Sequence, residues 1–322
     1  MNRAATPLDY DEAEDREVHR EARIGRLVVS ACTAGGAPDR LNEDSFAVAA
    51  AADGRRVAAG VFDGVTSLRP IPALAARGVT GARFASHLLK SRFAAPALQL
   101  APAQALLALN AELLEASLDL GARLSDTHSL PASTATLVVV DGGSGRIEAA
   151  HVGDSFVVAY GTDGGSSLVT RNDNEPFDRQ MRERMRSIAA ARGITPREAM
   201  ATPEMRRALL EMYDYRNNRP DGTGCGVVNG DPAVAPYIHA FEMPLDGVDA
   251  LLVGTDGLVP PDASLDSAHD RARLREVFES AGLTGVIRWK RAAEDADPDW
   301  RRVRYKHSDD ATGVVLKVMN AK

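Results

Sequence analysis

The sequence predicts an α+β layered sandwich, and three observations carry that reading. Short β-type runs fall into two groups separated by a pair of Ala/Leu-rich helical segments. A further helical pattern precedes the last β-type run. Nowhere do strands and helices alternate in the regular βαβ rhythm of a parallel sheet.

In chain order, residues 1–24 are charged and poor in apolar side chains, with Asp11, Glu12, Glu14, Asp15 and Glu17 grouped ahead of Arg20 and Arg23. This pattern predicts a solvated N-terminal arm or a frayed helix, and residues 25–322 are expected to form a single domain. The runs 26–32, 45–51 and 56–62 are β-type, the last two separated by the turn pair Asp53-Gly54, and together they predict the start of an antiparallel sheet. Segments of about 70–95 and 102–124 follow, the second with Leu106, Leu109, Leu113, Ala116 and Leu120 at steps of three and four, as an amphipathic helix requires. Strand patterns return at 134–141, 146–152 and 155–161, with turns at Asp141–Gly145 and Gly153-Asp154, and predict a β-meander. The stretch 172–232 is rich in Arg, Glu, Met and Asn and predicts an insertion or flap of polar helices over one end of the sheet. Strands at 237–242 and 249–254, a helix over 268–282 and a strand at 311–318 close the chain.

Composition narrows the function classes. The 322 residues are 44% hydrophobic and 26% charged, which is ordinary for a globular chain with a large core. With 38 Lys+Arg against 45 Asp+Glu the net charge is −7, which argues against a general nucleic-acid or anionic-membrane partner. Two cysteines, Cys32 and Cys225, exclude a disulfide scaffold or a Cys-rich zinc module and point to a reducing compartment. The N-terminal region has no apolar core of the secretory type, and no window approaches about 18 uninterrupted apolar residues, so a soluble cytoplasmic chain is expected.

Four acidic motifs carry the chemistry, each placed where a strand pattern meets a turn. They are Asn42-Glu43-Asp44-Ser45, Phe62-Asp63-Gly64, Gly254-Thr255-Asp256-Gly257 and Ser308-Asp309-Asp310-Ala311-Thr312. Carboxylates on the rim of a sheet can converge on one point, and hard divalent cations such as Mg²⁺ and Mn²⁺ take oxygen ligands of this kind. A lone Asp-Gly is a common turn pair; four such motifs in this order are a pattern.

The segments RLNEDSF, GVFDG, STATLVVV, AHVGDS, LLVGTDGL and DDATGVVLKV resemble the successive motifs of the metal-dependent Ser/Thr protein phosphatases of the 2C type, over about residues 26–318. The resemblance implies a four-layer α-β-β-α sandwich of two antiparallel sheets flanked by helix pairs. It also implies a dinuclear Mg²⁺ or Mn²⁺ site at one end, acting on a phosphorylated protein through a metal-activated water. By motif match, Asp63 would bridge both metals, the carbonyl of Gly64 would bind one, and Glu43 or Asp44, Asp256 and Asp309 would complete the set. No protein nucleophile is then required, in keeping with the absence of a G-x-S-x-G elbow and of a Walker A loop.

Asp154 matches a turn motif of the family, so a turn-stabilising role is expected, and Thr255 is expected to pack beside Asp256. Three positions depart from the family pattern. Its phosphate-binding Arg falls at Asp39, which makes the neighbouring Arg40 the candidate, and Val65 stands where many members have a His. For a third metal only Asp126 precedes the matching strand, at a spacing that looks too long. His151 reads as a core residue, His307 as a candidate near Asp309, and Arg216, Asn217, Asn218 and Arg219 as a loop that could carry substrate contacts. The residues support a phosphoserine/phosphothreonine phosphatase first. The alternatives are a catalytically weak or inactive regulatory module of the same fold, or a phosphatase of small phosphate esters.

Overall fold

Residues 18–218 and 224–319 are described by a computed structural model of the protein. The strands β1 (Val18–Ile24) and β2 (Leu27–Ala34) form a hairpin, and β3 (Ser45–Ala50) pairs with β4 (Arg56–Val65). Four helices follow: α1 (Pro72–Ala75), α2 (Gly81–Arg92), α3 (Ala94–Gln99) and α4 (Pro102–Asp119). The strands β5 (Ala132–Asp141), β6 (Arg146–Val152), β7 (Phe156–Gly161) and β8 (Ser166–Leu168) lead into α5 (Glu175–Arg192), α6 (Pro196–Met200) and α7 (Pro203–Tyr213). The chain closes with β9 (His239–Pro244), β10 (Val248–Gly254), α8 (Ala268–Asp295) and β11 (Ala311–Val318).

One antiparallel sheet has the order β1-β2-β11-β10-β7-β8 and the other β3-β4-β5-β6-β9. They pack face to face through Val29, Val61, Val138, Ile147, Leu251, Val253 and Leu316. The outer face of the five-stranded sheet is covered by α1–α4, with Phe62, Leu137 and Val152 against Phe84, Leu88, Phe93, Leu106 and Leu109. The outer face of the six-stranded sheet is covered by α8, with Phe156, Val158, Tyr160 and Leu252 against Leu274, Phe278, Leu283 and Ile287. The result is the expected four-layer sandwich. Central strands such as β5 and β10 read as continuous apolar runs because both of their faces are buried.

The structure departs from the sequence reading in five places. Residues 18–24, expected in the charged arm, form edge strand β1, whose side chains are largely exposed; backbone pairing with β2 needs no apolar alternation. The rest of that arm lies outside the described residues. β2 joins the sheet opposite to β3 and β4. The expected meander is broken, because β6 pairs with β5 and β9 whereas β7 pairs with β10 and β8. Gly153, at φ 93°, lies in the turn that carries the chain from one sheet to the other. The segment 70–95 divides at a loop that ends in Thr80, whose hydroxyl accepts the Arg83 N–H at 3.1 Å and starts α2. α8 runs beyond the expected end at 282: Gly282 breaks it at φ 69°, ψ −179°, and a second helical half continues to Asp295. The flap region holds α5–α7 around a small core of its own, Met181, Met185, Ala199, Met205 and Ala208.

His151 is buried in β6, its ring 5.5 Å from that of Phe241, and neither ring nitrogen has a hydrogen-bond partner. Burial, then the nearby His239 and Arg171, hold its pKa down to about 3. The unfolded chain therefore binds this proton below about pH 6.5 while the native state does not, and stability falls as the pH drops through that value. His151→Phe should remove about 1.4 kcal/mol of the loss in unfolding free energy per pH unit below about pH 6. Urea unfolding at pH 7.5 and pH 5.5 checks this, and equal pH dependence in both proteins would contradict it.

Candidate active site

The four acidic motifs meet at one end of the sandwich. Asp44 immediately precedes β3, Asp63 lies in β4 opposite Thr134, Asp256 follows β10, and Asp309 lies two residues before β11. Two glycines permit the approach. A Cβ on Gly64 would stand 2.6 Å from the Glu43 carbonyl oxygen, and one on Gly257 would stand 1.7 Å from that of Asp310. These glycines therefore serve close backbone packing, and β4 runs on through Asp63-Gly64 to Val65 where the sequence pattern places a turn.

A buried polar seam ties the two sheets together here. The Thr255 hydroxyl donates to Asp44 Oδ2 at 2.7 Å and accepts the Thr312 N–H at 3.0 Å. The Thr312 and Thr33 hydroxyls lie 2.7 Å apart, and Asn42 Nδ2 donates to Thr33 at 2.8 Å. Asp310 accepts the Gly36 and Glu43 N–H groups at 2.6 and 2.7 Å, which pins the segment between β2 and β3 against β11. The Glu43 carboxylate accepts the Thr80 hydroxyl at 2.6 Å.

The carboxylates repel one another. Burial, then Asp310 and Asp309, holds Asp44 well above the usual carboxylate range, and burial with Asp44 and Asp256 does the same to Asp63. Asp256 is raised too, by desolvation and Asp309, although it keeps an exposed surface on the cleft and so is less fully desolvated than Asp44. Asp154 is pushed up to about 8 by burial and Asp256, and Asp178 of α5 to about 6 by burial and Asp256. The native state holds protons that the unfolded chain releases above about pH 4, so without metal the fold loses stability as the pH rises.

An oxygen-only donor set of this kind fits hard divalent cations. Asp154 Oδ1 supports the fit, being buried with no hydrogen-bond partner. Among the described residues, no group of three or more His, Cys, Asp or Glu side chains is already gathered as a metal-holding set, so these neighbours are not a closed ligand shell.

The profile of the family described as Protein phosphatase 2C matches residues 37–288. This chain belongs to the protein phosphatase 2C family. Similar solved structures include the serine/threonine phosphatase Stp1 from Staphylococcus aureus, 18% identical over 94% of this chain and 99% of that one, with a TM-score of 0.53. A bacterial serine phosphatase is 16% identical over 91% and 98%, with a TM-score of 0.50. A sex determining protein of C. elegans is 14% identical over 92% and 66%, with a TM-score of 0.55. These likenesses share the phosphatase 2C fold. No curated protein sequence matches the chain.

Within this family framework the predicted residues separate. Asp44, Asp63, Asp256 and Asp309 are electrostatic neighbours, and Glu43 stands beside them, tied to Thr80. Arg40 is exposed, and its side chain makes no hydrogen bond or ion pair among the described residues. Asp126 is paired with Arg69 at 3.1 Å. His307 bonds Asp295 at 3.0 Å on the surface. Arg216 lies over the Tyr213 ring and donates to the Thr66 carbonyl, and the buried Asn217 braces Val227 and Asn229; Arg219 lies outside the described residues. The Cys225 thiol is pushed up to about 11 by burial, so it stays protonated.

Two participants were not read from the sequence. Asp154, expected only to stabilise a turn, lies among the acids and accepts Asn174 Nδ2 at 2.8 Å. Lys306 pairs with Asp309. No spacing rule marks either one; the apolar strand leading into Gly153-Asp154 gave the only hint.

Thr255→Val should cost about 1–3 kcal/mol of stability, because it leaves the Thr312 N–H and Asp44 Oδ2 without their partner, whereas Thr255→Ser should retain most of it. Urea unfolding of the metal-free proteins reads this out, and a Thr255→Val protein as stable as wild type would contradict it.

Proposed function

We propose that this chain is a Mg²⁺- or Mn²⁺-dependent phosphatase that hydrolyses phosphoserine and phosphothreonine esters on proteins, in a signalling role. The observation that supports it most is the convergence of Asp44, Asp63, Asp256 and Asp309 from four separate strand ends, with Asp44, Asp63 and Asp256 raised in pKa. Asp63, the Gly64 carbonyl, Asp256, Asp309 and either Asp44 or Glu43 would hold two ions. When bound, such ions supply Lewis-acid neutralisation of phosphoryl charge and a water more acidic than bulk.

The chain's own residues do the rest. Thr255 orients Asp44, and Asp310 fixes the backbone that carries Glu43. A cleft of about 930 Å³ is lined by Asp256 and Asp154 together with Asp178, Arg182 and Arg186 of α5. Val65 offers no proton beside Asp63-Gly64, so the leaving alkoxide takes its proton from another source.

A second reading, a catalytically weak binding module of the same fold, draws on the exposed Arg40 and on carboxylates that form no closed ligand group among the described residues. A phosphatase of small esters would share the chemistry and differ in the cleft.

Hydrolysis of a phosphothreonine peptide and of p-nitrophenyl phosphate separates these readings. Turnover should require Mn²⁺ or Mg²⁺, stop with EDTA, favour the peptide, and fall at least about 100-fold in Asp63→Asn and in Asp256→Asn, as expected when one preorganised charge is lost. Undiminished turnover in EDTA or in either variant would overturn the proposal. Metal binding without turnover in wild type would favour the binding module.

A further inference from the structure

Four cations line a cleft of about 190 Å³ beside Asp256 and Asp309: Arg182, Lys290, Arg304 and Lys306. Arg182 and Arg304 donate to carboxylates outside the acid cluster, and Lys290 has an ion pair there although its Nζ makes no hydrogen bond among the described residues. Arg182 makes a two-pronged contact with Glu175 at 2.9 and 2.8 Å, Lys290 pairs with buried Glu294 at 2.9 Å, and Arg304 pairs with Asp297 at 2.8 Å. Lys290 also feels the charge of Asp256, but Lys306 differs in being paired with a carboxylate of the cluster itself, Asp309, and in feeling Asp63 as well.

The backbone that carries Lys306 is held firmly. Asp297 accepts the Arg301 and Arg302 N–H groups, both at 2.9 Å, and Arg304 Nη2 donates to the carbonyls of Glu294 and Asp297 at 3.1 and 2.7 Å. On the far side, the Ser308 hydroxyl donates to Glu294 at 2.7 Å. Lys306 is thus a flexible four-carbon stem on a fixed base, partly exposed on the cleft. Were Asp309 to hold a divalent cation, the Lys306 ammonium would lose its carboxylate partner, and its stem would leave it free to meet another anion in the cleft. A phosphoryl dianion entering this cleft would offer the ammonium a partner in place of Asp309.

We propose that Lys306 is the catalytic cation that binds the substrate's phosphoryl oxygens, a role that the sequence pattern alone offers to Arg40. The proposal rests on the phosphatase reading above and assigns one residue of that site.

The test uses full-length Lys306→Met and Lys306→Arg proteins with saturating Mn²⁺. Calorimetry measures the affinity for inorganic phosphate and for Mn²⁺, and kinetics with the phosphothreonine peptide give KM and kcat. Lys306→Met should weaken phosphate binding and raise KM about tenfold or more, the effect of losing one charge-assisted hydrogen bond. Lys306→Arg should recover most of both. Mn²⁺ affinity should be unchanged or tighter in Lys306→Met, since a competing cation is gone. The proposal is overturned if phosphate affinity is unaltered in Lys306→Met, if it falls only because Mn²⁺ is lost, or if Arg40→Met produces the loss instead. Wild type that binds neither Mn²⁺ nor phosphate would overturn the phosphatase reading itself, a failure visible before any variant is compared.

Discussion

The hydroxyl of Thr255 joins the two sheets at the end where the acids collect. It takes the Thr312 N–H from the six-stranded sheet and gives its own proton to Asp44, which leads into the five-stranded one. Asn42 and Thr33 extend the seam, all of it buried, so water competes little for these bonds and each is stronger for that. Asp310 adds the Gly36 and Glu43 amides. Without this seam the strand ends would be free to splay, and the acids would separate.

They have reason to separate. Burial first, and then the charges of neighbouring carboxylates, raises Asp44, Asp63, Asp256 and Asp154 above the usual carboxylate range. The fold tolerates that repulsion because it is concentrated at one end of a sandwich with three apolar cores: between the sheets, under α1–α4 and under α8. Stability supplied by Phe62, Leu137 and Leu251 in the interior thus offsets a locally unfavourable arrangement at the rim. Lys306 relieves part of the repulsion. The same crowding that destabilises the rim makes it receptive to divalent cations.

Much of this was legible in the sequence. The motifs at Asp44, Asp256 and Asp309 flank strands because they interrupt runs that both local propensity and burial favour as strand, whereas Asp63-Gly64 is carried inside the end of β4. The doubly apolar runs of β5 and β10 announced strands covered on both faces. What stayed hidden depends on contacts distant along the chain. The charged residues of β1 look like a solvated arm because an edge strand with exposed side chains carries no periodic signal. The passage of β6 and β7 into different sheets cannot be told from a hairpin by a Gly-Asp turn alone. Asp154, on the turn between β6 and β7, and Asp178, on α5, meet Asp256 only in the folded chain, and Lys306 is set by a brace between Glu294, Asp297 and Arg304 that no local pattern encodes.

Thermal unfolding of wild type and Asp63→Asn, each in EDTA and in Mn²⁺, tests most directly whether buried carboxylate repulsion awaiting divalent cations organises this site. In EDTA at pH 7.5 the variant should melt higher than wild type by about 2 °C or more, the shift expected for about 1 kcal/mol in a chain of this size. Mn²⁺ should raise the wild-type melting temperature well above that of Mn²⁺-treated Asp63→Asn. A metal-free variant that melts below metal-free wild type, with both responding equally to Mn²⁺, would show that Asp63 is a structural anchor and that the cluster stores no such repulsion.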